Sequence, residues 1–192
     1  MAKKYEFQPD KPYSTWLNKL QLTKLQQKQI LKWGLYALLL IVLSVVQDVV
    51  MCRMRFYGGT TDLVPCAIFV IGILEGTQQG SVFALVASVL YLLSGSAPGA
   101  HVLVVITVLT VLMGAYRQTY LHPKLPAMLL TATFAMFAYE MAVFGFCLLL
   151  GQVDATRILG FLIPAVLCLV IIPILYPFVK AISKIGGDAW KE

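Results

Sequence analysis

Long apolar runs separated by short polar segments dominate this chain of 192 residues. The runs cover residues 33–51, 63–74, 82–93, 100–116, 125–150 and 158–179. The first, as an α-helix, rises about 28 Å, which is close to the thickness of the hydrocarbon core of a bilayer. The pattern therefore predicts an all-α, polytopic membrane protein. Its six-helix transmembrane domain is expected at 33–182, between a basic N-terminal segment at 1–32 and a tail at 183–192.

Two of the runs, 63–74 and 82–93, are short for a membrane span. Segments of this length suit a re-entrant or tilted helix as well as a full crossing. Small and polar residues flank both runs and can lengthen each helix where neighbouring helices cover them. We favour two full spans. The last run holds Pro164, Pro173 and Pro177, which are expected to kink its helix.

The composition excludes an ordinary soluble domain, because 59% of the residues are hydrophobic and only 12% are charged, against about a quarter charged in soluble proteins. The net charge of +6 comes from basic residues outside the apolar runs. These residues indicate topology and contacts with anionic lipid, and not nucleic-acid binding. Six spans place twelve Lys and Arg on the side of the termini and three on the other. The count predicts a cell-membrane protein with both termini in the cytoplasm.

The segment from Ser14 to the first span has moderate helical periodicity. It is either an interfacial helix on an anionic membrane surface or a solvated lead-in to the span, and the pattern leaves both open.

Glu140 is the most costly residue in the chain, because it lies inside the fifth apolar run. Its carboxyl is either an interhelical lock, hydrogen-bonded to a neighbouring helix in its charged or neutral form, or a ligand contact, or a proton or cation relay. Helical spacing places Thr133, Met136 and Phe144 on the same face as Glu140. It places the alanines of 132–142 on roughly the other side. This arrangement predicts a helix with protein on both faces, in the middle of the bundle.

Three glycines, Gly72, Gly76 and Gly80, are spaced by four residues. That spacing permits close helix packing in a membrane. Because Gly76 and Gly80 fall in the polar turn, we predict that Gly72 and Gly76 are the packing pair. The Gly76–Gly80 spacing is then explained by the needs of the turn.

Nothing in the sequence indicates an enzyme, a cofactor or a metal centre. The four cysteines lack ligand spacing, and His101 and His122 each stand alone. No nucleotide-binding glycine motif or catalytic serine setting occurs. Asp48, Asp62 and the arginines between them are interpreted as ordinary interfacial charges.

The stretch LYLLSGSAPGAH, residues 90–101, links the third and fourth runs so briefly that their helices must be antiparallel neighbours. Its Leu-Leu-Ser-Gly pattern, with Ser94, Gly95, Pro98 and Gly99, resembles the rod shape-determining protein MreD family. Tyr139 with Glu140, and a last span with Pro173 and Pro177 before Lys180, are similar to the family as well. Two features depart from it: Tyr91 stands where the family has an acid, and the basic N-terminal segment is longer than expected.

The resemblance implies a non-enzymatic scaffold of the cell-elongation machinery that maintains cell shape. Such a scaffold acts beside MreC and links cytoplasmic MreB filaments to peptidoglycan synthesis. Whether the protein also forms a homo-oligomer stays open. The family fold is similar to that of the substrate-binding subunits of energy-coupling-factor (ECF) vitamin transporters, which is the alternative function. The first run lacks the Ala-x-x-x-Ala docking pattern of those subunits. A third hypothesis, a proton-coupled transporter using Glu140, lacks the inverted repeat common in such folds.

Overall fold

The structure, a computed structural model, describes residues 24–50, 53, 62–120 and 125–186. Within these ranges it consists of helices, with no strand, as the apolar pattern predicts. The six α-helices of these ranges are α1 (Lys24–Val49), α2 (Leu63–Glu75), α3 (Thr77–Leu93), α4 (His101–Tyr120), α5 (Leu125–Leu149) and α6 (Ile158–Ser183). The 3-10 turns Ala155–Arg157 and Lys184–Gly186 flank α6. The lead-in helix predicted from Ser14, the residues Arg55 and His122, and the end of the tail lie outside the described residues.

Three helical stretches are long and apolar enough to cross a membrane: Gln26–Val49, Pro126–Leu149 and Ala155–Ser183. The other three apolar helices, Leu63–Glu75, Thr77–Leu93 and His101–Arg117, are shorter. The chain is therefore a helical protein built to associate with a membrane. The first helix begins at Lys24 and passes the predicted start of the span at residue 33 without a break. The last helix likewise continues through all three of its prolines.

The short helix α2 forms the centre of the bundle. All of its residues, LVPCAIFVIGILE, are buried, and it packs against each of the other five helices. A helix that is apolar on every side has no face suited to water, so enclosure by other helices is its expected place.

The prediction that α5 lies in the middle of the bundle is wrong. Its residues Leu130, Phe134 and Phe137 are exposed, so one face of α5 points outward. Its buried face combines Ala135 with Glu140. The alanines and the polar residues do not occupy opposite sides, because the buried arc of a helix packed on a central partner is wide enough to hold both.

The helices run up and down, so that their ends alternate. At one end, called here the Lys32 end, Lys32 of α1 contacts Glu75 of α2, and the Tyr36 hydroxyl lies 3.5 Å from the carbonyl of Val179 in α6. At the other end, the Asp48 end, the Gln47 side chain of α1 accepts a hydrogen bond of 3.0 Å from the backbone N–H of Val64, at the start of α2. The brief connection between α3 and α4 makes them packed antiparallel neighbours, as predicted.

Small residues set the close approach of α2, α3 and α4. A Cβ atom added to Gly72 would lie 2.3 Å from Cγ2 of Thr110 in α4. One added to Gly80 would lie 2.6 Å from the carbonyl oxygen of Gly72. The prediction of Gly72 and Gly76 as the packing pair is therefore wrong. Gly72 packs on Gly80, while Gly76 is the single residue between α2 and α3 and has a φ of 86°, a left-handed conformation that glycine adopts readily.

Candidate functional site

A buried ion pair joins helices at the Lys32 end. Lys32 Nζ donates to Glu75 Oε2 at 2.5 Å, and the Tyr36 hydroxyl donates to Glu75 Oε1 at 2.6 Å. Lys32 and Glu75 are each only 5% exposed. Arg117 of α4 lies close enough to Glu75 to interact with its carboxylate electrostatically. One carboxylate therefore connects α1 and α2 directly and lies beside α4 and α6.

Aromatic rings of α1 and α3 pack beside this ion pair. The rings of Trp33, Tyr36 and Phe83 lie 5.6–5.8 Å apart, centroid to centroid. Tyr36 connects this group of rings to the ion pair through its hydrogen bond to Glu75. A pair in such surroundings is hard to break, because removal of one partner leaves the other charge buried and uncompensated.

Sequence reasoning missed the Lys32–Glu75 pair. From the sequence, Lys32 was interpreted only as a basic residue outside the first span, and Glu75 only as part of a polar turn. The available signal was that these two charges lie next to the ends of neighbouring apolar runs. Antiparallel helices bring such ends together, so an ion pair between them was a reasonable expectation.

A second group of polar side chains lies inside the bundle toward the Asp48 end. It consists of Asp62, Tyr91, Tyr139 and Glu140, and is called here the Asp62–Glu140 cluster. The two carboxyls are close enough to interact electrostatically, and both act on the hydroxyl of Tyr91. The members come from the start of α2, from the last turn of α3 and from α5.

Two atoms of the cluster lack hydrogen-bond partners within the described part of the chain. They are Oε1 of Glu140 and the hydroxyl of Tyr139. Glu140 is 3% exposed and Tyr139 is fully buried, with its ring edge-on to Phe69 at 6.0 Å. Buried polar atoms normally have a partner, so this cluster offers oxygen atoms for a ligand or a proton.

Thiols lie beside the cluster without forming a metal centre. Cys168 Sγ in α6 donates to the backbone carbonyl of Asp62 at 3.9 Å, and it also contacts Cys66. Among the described residues, no three His, Cys, Asp or Glu side chains are arranged to hold a metal ion. The chemistry available at this place is that of carboxyl and hydroxyl oxygens.

The turn between α3 and α4 connects to this cluster and to α1. The Ser94 hydroxyl donates to the carbonyl of Tyr91 at 2.7 Å and so closes the end of α3. Gly95 has a φ of 77°. The Ser96 hydroxyl donates to the carboxylate of Asp48, and the Ser96 carbonyl accepts a hydrogen bond of 3.4 Å from Tyr91.

The other turn residues contribute less. Pro98 is exposed, and the nearest atoms to a Cβ added at Gly99 belong to the ring of His101. The structure thus brings Ser94 and Gly95 close to Tyr91, and Tyr91 close to Tyr139 and Glu140. Gly72 and Gly76 lie apart from these residues, toward the Lys32 end.

An open groove of about 580 Å³ runs along the outside of the bundle between α1 and α3. Its walls are mainly apolar side chains, including Ala37, Val82 and Val86. Gln29 and Gln79 line the part of the groove nearest the Lys32 end. Val82 and Val86 are exposed, so the groove opens to the surroundings of the protein and not into the bundle interior.

No protein-family model, curated protein or solved structure matches this chain. The sequence motifs, and the positions that the structure gives them, are the observations from which a function can be argued.

Proposed function

We propose that the protein is a non-enzymatic integral membrane scaffold of the bacterial cell-elongation machinery, similar to MreD. In this role it links MreC and cytoplasmic MreB filaments to peptidoglycan synthesis and maintains cell shape. The observation that carries the proposal is the position of the MreD-like turn. It is the junction at which Ser96 bonds to Asp48 of α1 and Tyr91 bonds to Gln47 at 3.5 Å. Of the residues that carry the resemblance, Ser94 and Gly95 belong to this helix junction.

The proposal includes six membrane crossings with both termini in the cytoplasm. The alternating helix ends support it, because they place Lys28, Arg117 and Lys180 toward the same end of the bundle. Lysine and arginine near the ends of spans favour the cytoplasmic side. Arg53 and Arg157 belong to the opposite end.

The distribution of polar groups supports a scaffold. Lys32, Tyr36 and Glu75 bond to one another between helices, and large apolar side chains cover much of the outside. Such a body holds a fixed shape and offers its exterior to lipid and to the helices of partner proteins. Tyr91 stands where the family has an acid. The carboxyl of Asp62 lies beside the Tyr91 hydroxyl and partly replaces that acid.

Deletion of the gene in the native host tests the proposal. Loss of the scaffold is expected to round or widen rod-shaped cells and to disperse MreC from its sites along the cell side, and the wild-type gene should restore both. A deletion strain with normal width and normal MreC distribution would contradict the proposal.

The external groove favours one alternative, a substrate-binding subunit of an ECF-type vitamin transporter. Its volume of about 580 Å³ lies within the range of small-molecule sites. Equilibrium binding of a panel of vitamins to the purified protein separates the two functions. Saturable binding at micromolar concentration supports the transporter subunit, and absence of binding across the panel excludes it.

A further inference from the structure

The groove between α1 and α3 is polar at one end and apolar along the rest of its length. Gln29, Gln78 and Gln79 line the part nearest the Lys32 end. From there the walls continue mainly through apolar side chains, as far as Leu40 of α1 and Leu90 of α3. Both helices begin at the Lys32 end, so the polar ends of the two walls coincide. The groove therefore matches an amphipathic ligand that has a polar head and an apolar chain.

The length of the groove is that of one membrane leaflet. The walls extend over residues 29–40 of α1 and 79–90 of α3, and each of these stretches rises about 16 Å as an α-helix. The hydrocarbon core of a bilayer is about 30 Å thick, so a single leaflet accounts for about 15 Å of it. A transmembrane helix of a partner protein would need a contact surface through both leaflets. A groove confined to one leaflet fits the acyl chain of a lipid instead.

The polar end of the groove carries positive charge. Lys28, which precedes Gln29 in α1, is exposed. The first turns of α1 and α3 contain no acidic residue, and the nearby carboxylate of Glu75 is already paired with Lys32. Lysine at a membrane surface attracts anionic lipid headgroups. The side-chain amides of the three glutamines can donate hydrogen bonds to the phosphate and ester oxygens of such a lipid.

Trp33 lies where the polar and apolar parts of the groove meet. It follows Gln29 by one helical turn, lines the groove and is half-buried. Its ring packs against Phe83 of the opposite wall at 5.6 Å, centroid to centroid. Tryptophan is enriched at the depth where lipid headgroups meet the hydrocarbon. Its position agrees with a headgroup beside Gln29 and an acyl chain deeper in the groove.

We propose that the groove between α1 and α3 binds one anionic phospholipid. The headgroup lies at Lys28 and the three glutamines, and one acyl chain lies along the apolar walls toward Leu40 and Leu90. The lipid belongs to the leaflet at the Lys32 end, which is the cytoplasmic leaflet in the proposed topology. The site requires that α1 and α3 lie in a membrane, and it does not depend on the scaffold function.

Quenching of Trp33 fluorescence by brominated lipid tests the site. The chain has three tryptophans, so Trp16→Phe and Trp190→Phe together leave Trp33 as the single fluorophore. The full chain with these two substitutions, the parent, is reconstituted into vesicles with equal mole fractions of phosphatidylglycerol and phosphatidylcholine. The acyl chains of one lipid or of the other carry bromine. The quenching should show a preference of about fivefold for phosphatidylglycerol, the effect expected of one lysine close to an anionic headgroup.

One pair of variants assigns the preference to the charge at the groove. Lys28→Gln should reduce the preference for phosphatidylglycerol to about one, because the amide carries no charge. Lys180→Gln removes an exposed lysine of α6 and should keep the preference, because the described lining residues come from α1 and α3.

A second pair of variants assigns the quenching to the groove itself. Ala37→Phe places a ring in the groove and should lower quenching by both lipids at least about twofold, because the bulky ring takes the place of the acyl chain. Leu38→Phe, at an exposed neighbouring position outside the groove, should quench as the parent does. If Ala37→Phe does not fold, Val86→Phe on the exposed part of the other wall carries the test.

Three results would overturn the proposal. One is equal quenching of the parent by brominated phosphatidylglycerol and brominated phosphatidylcholine. Another is a preference for phosphatidylglycerol that Lys28→Gln leaves unchanged. The third is weak quenching of the parent by both lipids, which would show that protein, such as a second copy of the chain, covers the groove.

Discussion

The ammonium group of Lys32 and the carboxylate of Glu75 form an ion pair buried between the first two helices, with a nitrogen–oxygen distance of 2.5 Å. The Tyr36 hydroxyl bonds to the second carboxylate oxygen. The two oxygen atoms of Glu75 therefore each have a donor from α1. In a membrane bundle this arrangement fixes the angle and register of α1 against the central helix.

Breaking the ion pair should destabilise the bundle strongly. Glu75→Ala leaves the Lys32 charge buried and unpaired, and the expected loss is about 3–5 kcal/mol in the free energy of unfolding. Unfolding of the purified protein in detergent by titration with sodium dodecyl sulfate measures it. The double variant Lys32→Met, Glu75→Leu removes both charges and should recover most of the loss. If the double variant is as unstable as Glu75→Ala, the unpaired charge of Lys32 is not the cause of the instability.

The packing of α2 on α4 predicts that a substitution at Thr110 restores the stability lost through a substitution at Gly72. In Gly72→Ala the new methyl group would collide with Cγ2 of Thr110, and overpacking of this kind costs about 1–3 kcal/mol. Thr110→Ser removes that methyl group but retains a hydroxyl, which in Thr110 bonds to the Ile106 carbonyl at 2.8 Å. The combined variant should regain stability. Gly34→Ala, where nothing lies within 4 Å, serves as the control and should not be destabilised.

The conformation of the α3–α4 turn predicts that position 95 prefers glycine, and prefers asparagine to alanine. Gly95 has a φ of 77° and no atom within 4 Å of an added Cβ. Gly95→Ala should therefore cost about 1–2 kcal/mol through its backbone alone. Gly95→Asn should cost less, because asparagine tolerates this region better than alanine. Equal unfolding free energies of the two variants, measured in the same detergent, would show that the left-handed conformation is not required.

The proposed topology places the two ends of the bundle on opposite sides of the membrane. In a variant without the native cysteines, a single cysteine at Ser94 should react with an impermeant thiol reagent added outside spheroplasts. One at Gln79 should react only after the membrane is opened. Both positions are exposed. Labelling of Gln79→Cys from outside, with Ser94→Cys protected, would mean that the orientation is reversed.

Helix positions could be predicted from the sequence because membrane spans depend on long apolar runs, a local property. The six runs correspond to α1–α6, although α1 begins nine residues and α3 five residues before the predicted run. The turn between α3 and α4 was also predictable, because a connection so short leaves its helices no other arrangement. The left-handed Gly95 agrees with the use of glycine in tight turns.

The interior could not be predicted in the same way, because it depends on which helices meet. Gly72 matches a packing motif within one helix, but its partner Gly80 belongs to the next helix. Glu140 was identifiable as a buried acid, whereas its neighbour Asp62 is distant in sequence and resembled an interfacial charge. The central place of α2 also depends on the whole bundle, although its fully apolar sequence is consistent with it.

Purification of the protein from native-host membranes after chemical cross-linking tests the scaffold function most directly. MreC should be recovered with the protein in comparable amount, and Gly72→Ala should reduce the recovery in proportion to its loss of folded protein. Recovery of the ATP-hydrolysing and transmembrane subunits of an ECF-type transporter, with no MreC, would rule out the scaffold function.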